Sequence, residues 1–252
     1  MDLGIGGKRA AVAAATGGLG YASAQALVAE GAEVMICGSD PGRAQDAAAR
    51  LGGGTRWTVA DLTQPPEAER FVATAAGALG GVDILVVNGP GPAPGTVLQT
   101  PAEAYQAALD RSLLAVVRMC LAAVPGMQEN DWGRIVAITS LGVRQPYPNL
   151  ALSNTARAGA TGFLRTLARE VAADGITVNS VQPGLHATGR VRSVYGDGDD
   201  GRLAAALATV PAGRLGDPDG LGALVAFLCS QQAEYLTGAA IPIDGAAYQA
   251  LL

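Results

Sequence analysis

Two serines and one arginine near the end of a predicted strand and the start of a predicted helix are candidates for a polar site. Ser140 directly follows the apolar run 134–139, Ser153 lies thirteen residues later, and Arg157 lies four residues after Ser153. On a helix, side chains four residues apart lie on the same face, one turn along. Hydroxyl and guanidinium groups clustered in this way can bind a carbonyl oxygen, an oxyanion or an enolate. Neither group shuttles protons well at neutral pH, so any proton must come from another residue.

Two residues near this cluster are candidate proton donors. Tyr147 lies between two prolines, six residues before Ser153, and a phenol can be tuned to act as an acid. His186, the single histidine of the chain, follows Pro183-Gly184 by two positions. Imidazole is the usual acid or base near neutral pH. Each residue has a structural alternative, since Tyr147 can pack a loop and His186 can be a buried, non-catalytic side chain.

Short apolar runs alternate with longer amphipathic segments along the chain. The predicted strands are 9–15, 33–37, 56–60, 83–88, 134–139, 176–181 and 239–243. The predicted helices are 19–30, 41–51, 64–79, 101–127, 150–173 and 217–230. Most of the strands are apolar throughout, which is typical of a parallel sheet covered on both faces. We therefore predict a single α/β domain over 1–252, with a doubly wound, Rossmann-like parallel sheet of about seven strands and helices on both faces.

Composition restricts the partners and the compartment. The net charge is −5, and 17 basic and 22 acidic residues are interspersed without a basic stripe, which argues against nucleic acid. Cys37, Cys120 and Cys229 are scattered and predict neither a disulfide framework nor a metal site. The first residues lack a signal-peptide pattern, and no apolar run reaches the roughly 18 residues of a membrane span. We expect a cytoplasmic protein that binds no membrane.

The segment 10–37 has the pattern of a strand, a glycine-rich turn, a helix and a second strand. Gly18, Leu19 and Gly20 lie at the turn. In a doubly wound sheet this turn lies at the carboxyl edge, where N–H groups at the start of the helix can hold a pyrophosphate. Because the turn lies between a strand and a helix, the pattern predicts a dinucleotide site.

Several motifs together resemble the short-chain dehydrogenase/reductase family over nearly the whole chain. The glycine-rich turn is similar to the family's T-G-x-x-x-G-x-G loop, and "NGPG" at 88–91 is similar to its N-N-A-G. The segment "GITVNSVQPGLHAT" at 175–188 carries its Pro-Gly and threonine positions, and 214–245 is similar to its C-terminal signature. The resemblance implies an NAD(P)(H)-dependent oxidoreductase that acts on a small carbonyl compound or alcohol.

The resemblance also implies which residues bind the cofactor. Two of these positions depart from the family, because Ala14 replaces a glycine and Gly89 replaces an asparagine. The implied contacts are Ala14, Thr16, Gly18, Leu19, Gly20, Ser39, Asp61, Leu62, Asn88, Gly89, Arg157, Pro183, Gly184 and Thr188.

Cofactor choice depends on the end of the second predicted strand. An acid there would bind the ribose 2′-hydroxyl of NAD, but the matching position is Gly38. We expect Asp40 to cap the next helix instead. A 2′-phosphate would meet Ser39 and Arg43, so NADP(H) is favoured over NAD(H).

The family typically uses Asn, Ser, Tyr and Lys for catalysis. The matching positions here hold Ser112, Ser140, Ser153 and Arg157, so the usual proton donor is missing. Three hypotheses remain open. The first is an oxidoreductase with an atypical proton path through Tyr147 or His186. The second is a lyase, isomerase or cyclase that uses no cofactor for its chemistry, and the third is a non-catalytic ligand-binding or partner subunit.

The section 185–212 is the least regular and predicts a substrate lid. Its acidic, glycine-rich run at 195–201 is predicted to be mobile. The predicted pocket walls carry few charges apart from Arg144, Arg190 and Arg192, so we expect a neutral or anionic small molecule. The resemblance further implies a homotetramer or homodimer that packs through helices 101–127 and 150–173.

Overall fold

The computed structural model describes residues 2–196 and 201–251. Within this part of the chain, seven parallel strands form one sheet in the order β3-β2-β1-β4-β5-β6-β7. The strands are Arg9–Val12 (β1), Glu33–Gly38 (β2), Arg56–Val59 (β3), Ile84–Val87 (β4), Gly133–Ile138 (β5), Ile176–Pro183 (β6) and Ala240–Ile243 (β7). This architecture confirms the predicted doubly wound sheet.

Helices connect the strands and cover both faces of the sheet. They are Gly18–Ala29 (α1), Pro41–Leu51 (α2), Pro65–Leu79 (α3), Glu103–Leu109 (α4), Ala115–Glu129 (α5), Ala151–Val171 (α6), Gly189–Tyr195 (α7), Arg202–Leu207 (α8) and Pro218–Leu228 (α9). The helix predicted over 101–127 is present as a continuous helical run from Glu103 to Glu129, and a π-helical turn at Asp110–Leu114 lies between α4 and α5. Among the described residues, no helix is both long and apolar enough to cross a bilayer.

The central strand β4 is apolar throughout because its two faces pack against different sets of helices. On β4, Leu85 packs in the cluster that contains Phe71 of α3 and Met119 of α5. Its neighbour Ile84 packs in the opposite cluster, which includes Leu27 of α1 and Leu221 of α9. Alternate residues of a strand face opposite sides, and burial of each large side chain contributes roughly 1.5–3 kcal/mol. The two layers leave only the ends of the central strands accessible, while the edge strand β3 is largely exposed.

Strand order reverses at β1, which pairs with both β2 and β4. In open α/β sheets, ligands bind outside the carboxyl ends of the strands at this switch point. The predicted lid at 185–212 follows β6 and contains α7 and α8, two short helices that the sequence did not predict. The central part of the run predicted to be mobile, 197–200, lies outside the described residues.

Candidate active site

A cavity of about 710 Å³ runs along the carboxyl ends of the strands. All five candidate catalytic residues line it, namely Ser140, Tyr147, Ser153, Arg157 and His186. Every predicted cofactor contact except Gly20 also lines it: Ala14, Thr16, Gly18, Leu19, Ser39, Asp61, Leu62, Asn88, Gly89, Arg157, Pro183, Gly184 and Thr188. Positions that are far apart in sequence therefore share one continuous space.

The glycine-rich loop is held in shape from beneath by Asn88. The Asn88 side-chain amide donates to the carbonyl of Ala14 over 3.1 Å. A Cβ on Gly20 would lie 2.6 Å from that carbonyl and 2.7 Å from Asn88 Nδ2, so this buried position requires glycine. Gly20 thus supports the loop rather than facing the cavity. Ala14 itself has a left-handed φ of 48°, which is strained for a residue with a Cβ.

The other wall of the loop is formed by the start of the lid. Thr188 precedes α7, and its methyl group lies over Gly18, which has a φ of 56°. A Cβ on Gly18 would lie 3.6 Å from Thr188 Cγ2. The amino end of α1 therefore opens into the cavity beneath Thr188, in the position where helix N–H groups can bind a pyrophosphate.

At the far end of the cavity, β2 ends in Gly38. A Cβ on this residue would overlap the Thr16 side chain, so the present arrangement leaves no room for an acidic residue there. Asp40 accepts from the Arg43 backbone N–H over 2.7 Å and caps α2, as predicted. The Arg43 side chain lines the cavity beside Ser39. This end therefore presents a cation and a hydroxyl.

Asp61 lies just after β3 and also lines this end of the cavity. One of its carboxylate oxygens accepts from the backbone N–H and the hydroxyl of Thr63, over 3.0 Å and 2.8 Å. This turn fixes the carboxylate in place. A carboxylate oxygen held at this edge can accept a hydrogen bond from an adenine amino group.

Ser140 and Ser153 bring two hydroxyl groups to the opposite end. Ser140 follows β5, and its Oγ accepts from the Gly142 backbone N–H over 3.0 Å. Its own proton remains available to donate to a ligand oxygen. Ser153 lies in the first turn of α6, is 8% exposed and lines the cavity. Both serines therefore line the same cavity, and their joint role in a site stays a prediction.

Arg157 lies one turn after Ser153, and backbone carbonyls hold its guanidinium. Nη1 donates to the carbonyls of Ile138 and Thr139 over 2.8 Å and 3.2 Å, and Nη2 donates to Gly89 over 3.4 Å. The side chain thereby joins the carboxyl ends of β4 and β5. Burial, with a smaller contribution from the Arg190 charge, lowers the pKa of Arg157 to about 10. Arg157 therefore remains a cation at neutral pH.

Ser112, at the predicted asparagine position, lies in the π-helical turn. Its buried Oγ has no hydrogen-bond partner among the described residues. A very small cavity between Ser112 and Arg157 is also lined by Asn88 and Thr139. π-Turns inside α-helices occur frequently at functional sites, and this one brings a polar side chain beneath Arg157.

Two phenols line the cavity near the serines. Burial, with smaller contributions from Tyr195 and Asp244, raises the pKa of Tyr147 to about 12. Burial also raises the pKa of Tyr195, which ends α7. Both phenols therefore keep their protons at neutral pH. Tyr147 was predicted as a candidate proton donor, whereas Tyr195 lies in the predicted lid and was not predicted as one, because α7 itself was not predicted.

His186 lies against the wall of the cavity and is only 3% exposed. Its Nδ1 lies 3.3 Å from the Gly184 carbonyl, and a Cβ on Gly216 would lie 2.7 Å from its Nε2. His186 and Gly216 also form a parallel β-bridge. Burial lowers the pKa of His186, so the imidazole is neutral at neutral pH. These contacts fix the ring between the lid and the segment before α9.

The lid contributes a second cation to the cavity. Arg190 lies in the first turn of α7, and its Nη2 donates to the Pro92 carbonyl over 2.8 Å. Arg190 was predicted only as part of a pocket wall. The other residues of α7 that line the cavity lie within the predicted lid at 185–212 and are Gly189, Val191, Ser193, Val194 and Tyr195.

The arrangement fits a dinucleotide lying along the cavity. Gly17 and Gly18 line the cavity at the amino end of α1, while Ser39 and Arg43 face the outer end. Ser140, Ser153 and Arg157 face the inner end, where a substrate oxygen can accept hydrogen bonds. The described residues contain no cluster of His, Cys, Asp or Glu that could hold a metal ion.

Curated relatives align with almost the whole chain. The 3-oxoacyl-[acyl-carrier-protein] reductase FabG of Vibrio cholerae is 34% identical over 242 residues, which cover 96% of this chain and 98% of the relative. The dehydrogenase/reductase SDR family member 4 of Bos taurus is 33% identical over 94% of this chain and 86% of its own length.

Solved structures share the fold. The L-sorbose reductase of Gluconobacter frateurii, complexed with NADPH and L-sorbose, superposes with a TM-score of 0.92 at 29% identity and covers 100% of both chains. A 3-oxoacyl (acyl-carrier-protein) reductase from Agrobacterium tumefaciens C58 with NADP bound has a TM-score of 0.90 at 27% identity, covering 97% of this chain and 95% of that one.

The profile of the family described as enoyl-(acyl carrier protein) reductase matches residues 13–246. This range includes the glycine-rich loop, the candidate catalytic residues and the C-terminal signature. The match confirms the family resemblance that the motifs indicated. On these grounds, the chain belongs to the short-chain dehydrogenase/reductase family of oxidoreductases.

Proposed function

We propose that this protein is an NADP(H)-dependent oxidoreductase that interconverts a small carbonyl compound and its alcohol without the usual Tyr-Lys pair. The proposal rests on one observation, the continuous cavity of about 710 Å³. It joins the glycine-rich loop to the cluster of Ser140, Ser153 and Arg157. A cofactor and a small substrate can therefore meet in one space.

The outer end of the cavity supports NADP(H) rather than NAD(H). Gly38 leaves no carboxylate to repel a 2′-phosphate, and the Thr16 side chain fills the space that an acid would need. Arg43 and Ser39 can bind the phosphate oxygens by charge-assisted hydrogen bonds. The bound NADPH and NADP of the two solved relatives agree with this choice.

When bound, the nicotinamide supplies hydride in the reducing direction and accepts it in the oxidising direction. The protein must hold the substrate and supply one proton. We assign Ser140 to donate a hydrogen bond to the substrate oxygen, because Gly142 already fixes its Oγ from the acceptor side. In reduction, the carbonyl carbon would gain the hydride, and the protein would have to deliver the proton that the oxygen gains.

We assign the proton to Tyr147 rather than to His186. Tyr147 is half-buried at the cavity wall, and its ring lies near Ser140, since a Cβ on Gly142 would be 3.2 Å from Ser140 Oγ and 3.3 Å from Tyr147 Cδ2. His186 is packed between Gly184 and Gly216, which leaves little freedom for its ring. Arg157 positions the carboxyl ends of β4 and β5 and supplies positive charge beside the forming alkoxide.

A non-redox enzyme on the same scaffold is the second candidate. One observation favours it: Ser140, Ser153 and Arg157 form an oxyanion-binding set, whereas the proton donors of the cavity have pKa values displaced from neutrality. In that case a lyase, isomerase or cyclase would use the cluster to stabilise an enolate. A non-catalytic subunit would bind a ligand here without turnover.

Titration of the purified protein with NADPH and NADH, by fluorescence and calorimetry, tests the proposal. We expect NADPH to bind more tightly than NADH. A Gly20→Ala variant should weaken NADPH binding because its Cβ would meet Ala14 and Asn88, while Gly77→Ala, whose Cβ has no neighbour within 4 Å, should not. Absence of binding at millimolar cofactor would contradict the first proposal and leave the non-redox enzyme.

We also propose that the protein forms a homotetramer or homodimer through α5 and α6, with α7 and α8 serving as a substrate lid. Leu121, on α5, is 57% exposed in the single chain, which supports burial against a second copy. Light scattering of the purified protein measures the assembly. A monomer at micromolar concentration would contradict it.

A further inference from the structure

The inner half of the cavity contains two guanidinium groups, Arg157 and Arg190. Among the described residues that line the cavity, Asp61 is the only acidic side chain, and it lies at the opposite end beside Thr63. The inner half therefore carries positive charge that no described carboxylate of the cavity neutralises. A buried charge is normally paired, because its removal from water is costly.

Arg157 shows how weakly the protein itself compensates this charge. Its partners are the carbonyls of Ile138, Thr139 and Gly89, and none of them is anionic. The three ion pairs found among the described residues, Arg9–Asp83, Arg43–Asp40 and Arg70–Glu67, do not include it. The neighbouring charge of Arg190 lowers the pKa of Arg157 further. The positive charge of Arg157 and Arg190 therefore favours an anionic ligand in this half of the cavity.

The buried Arg134 is an instructive contrast. It also donates to backbone carbonyls, but its guanidinium lies 4.4 Å from the centre of the Trp132 ring. Glu234 contributes a compensating negative charge to Arg134. Arg134 does not line the large cavity, whereas Arg157 does. A structural role thus accounts for Arg134 more fully than for Arg157.

Arg190 approaches the same space from the lid. Its hydrogen bond to the Pro92 carbonyl occupies one of five N–H groups, so others can serve a ligand. The guanidinium packs against Gly91, where a Cβ would lie 3.0 Å from Arg190 Cζ. Because Gly91 has no Cβ, it leaves space for the Arg190 side chain. An arginine fork matches a carboxylate better than it matches a neutral carbonyl.

We propose that the substrate bears a carboxylate close to its reacting carbonyl or alcohol carbon, and that Arg190, supported by Arg157, binds this carboxylate. The inference rests on the proposed function for the reacting carbon, and it narrows the substrate to a small oxo acid or hydroxy acid. A phosphate of the cofactor has the same anionic chemistry. The substrate carboxylate is favoured because both arginines lie at the inner end, with Ser140 and Ser153, while the amino end of α1 serves the pyrophosphate.

The test compares a charged probe with a neutral ester that shares its oxamoyl core. Oxamate, an unreactive analogue of a 2-oxo acid, and ethyl oxamate are titrated calorimetrically into the protein with and without NADPH. We expect oxamate to bind at least about 10-fold more tightly than its ester. Arg190→Gln should weaken oxamate binding by about 10- to 100-fold, as loss of a charged hydrogen bond does. Arg192→Gln, an exposed residue of the same helix outside the cavity, is the matched control.

Three results would overturn the inference. The first is equal binding of acid and ester, or no binding of oxamate at millimolar concentration. The second is an Arg190→Gln variant that retains the preference for oxamate. The third is an Arg190→Gln variant whose loss is confined to NADPH binding, which would assign the guanidinium to a cofactor phosphate.

The outcome is separable from that of the proposed function. Reduction of 2-oxobutanoate is compared with that of its methyl ester by following NADPH oxidation. If the ester is reduced as fast as the acid, the carboxylate inference fails and the oxidoreductase survives. If oxamate binds selectively while no panel of oxo acids or hydroxy acids supports turnover, the oxidoreductase proposal fails and the anion site survives.

Discussion

Gly38 lies directly against the side chain of Thr16, so that any Cβ at position 38 would overlap the threonine methyl group. One residue ends β2 and the other belongs to the glycine-rich loop, and both line the outer end of the cavity. The two positions are therefore sterically coupled. Cofactor choice in this chain depends on the pair and not on the end of β2 alone.

The first prediction concerns this coupling. Gly38→Asp alone should lower stability and weaken NADPH binding without creating tight NADH binding, because the new side chain meets Thr16. Thr16→Ser removes the obstructing methyl, so the double variant should bind NADH more tightly than either single variant. Dissociation constants for both cofactors form the double-mutant cycle. Additive effects of the two substitutions would show that the positions are independent.

The second prediction concerns strain at Ala14. Its φ of 48° costs an alanine about 1 kcal/mol or more, and Ala14→Gly should recover up to about 1 kcal/mol after the added freedom of the unfolded chain is subtracted. We expect a higher free energy of unfolding in urea and unchanged or tighter NADPH binding. Ala246→Gly is the control for the binding measurement. Ala246 also has a positive φ, of 66°, but it lies outside the cavity. Destabilisation by Ala14→Gly would contradict the prediction that the backbone at Ala14 is strained.

The sequence predicted the sheet well because buried parallel strands leave continuous apolar runs, as "ILVV" of β4 illustrates. It did not predict the π-helical turn at Asp110–Leu114, because one extra residue in a turn barely changes the apolar periodicity. It also missed α7, a seven-residue helix that is too short to be stable alone. Contacts such as that of Arg190 with Pro92 join this helix to the loop after β4.

Only some residues of the candidate site could be predicted from the sequence. Ser140, Ser153 and Arg157 could be identified because they match the family's catalytic positions, and the four-residue spacing of Ser153 and Arg157 places both on one face of a helix. The contact between Thr16 and Gly38 could not, because it depends on how two loops meet. The same holds for Tyr195, whose place at the cavity depends on the path of the lid. Local spacing is visible in a sequence, whereas the meeting of distant segments is not.

The third prediction assigns the proton donor. Tyr147→Phe should lower kcat by about 10²–10⁴-fold and leave NADPH binding unchanged, because the ring is kept and only the acidic proton is lost. Tyr195→Phe is the matched control, since Tyr195 also lines the cavity and its phenol has a raised pKa. Because the pKa of Tyr147 is about 12, reduction should show no alkaline loss from this group below about pH 10. Unchanged turnover in Tyr147→Phe would remove it as donor.

The fourth prediction concerns stability at acid pH. Burial lowers the pKa of His186 below its ordinary value, so the unfolded chain binds this proton more readily than the folded one. The contribution of the neutral ring is fully present above the unfolded pKa of about 6.5, and it is lost as the pH falls through that value towards the folded pKa. The free energy of unfolding should therefore decrease with acidification in this window.

His186 is the single histidine of the chain, so no other imidazole contributes to the measured pH dependence. Urea unfolding at pH 8 and pH 5 is compared between the natural protein and His186→Gln. The variant should lose part of the difference between the two pH values, while carboxylates titrate equally in both proteins. An identical pH dependence in the two proteins would show that His186, which packs against Gly216, does not cause the loss of stability at acid pH.

The fifth prediction restores the family's usual pair. Ser153 faces the cavity with little exposure, and Arg157 lies one turn later with Nη1 bonded to Ile138 and Thr139. A lysine can donate to the same carbonyls, and a tyrosine at 153 would bring a phenol beside it. We expect Ser153→Tyr with Arg157→Lys to raise carbonyl reduction by NADPH by about 100-fold, the effect of one positioned acid.

The matched control for this gain is Ser153→Phe with Arg157→Lys, which fills the same space without a hydroxyl. Thermal melting of both double variants checks that the ring is accommodated. Because the two proteins differ by one oxygen atom, a higher rate in the tyrosine variant isolates the proton donor from any change in packing. Equal rates in the two variants would mean that the inner end of the cavity does not hold a carbonyl within reach of position 153. The reaction would then have to proceed through another group, with Tyr147 as the first residue to test.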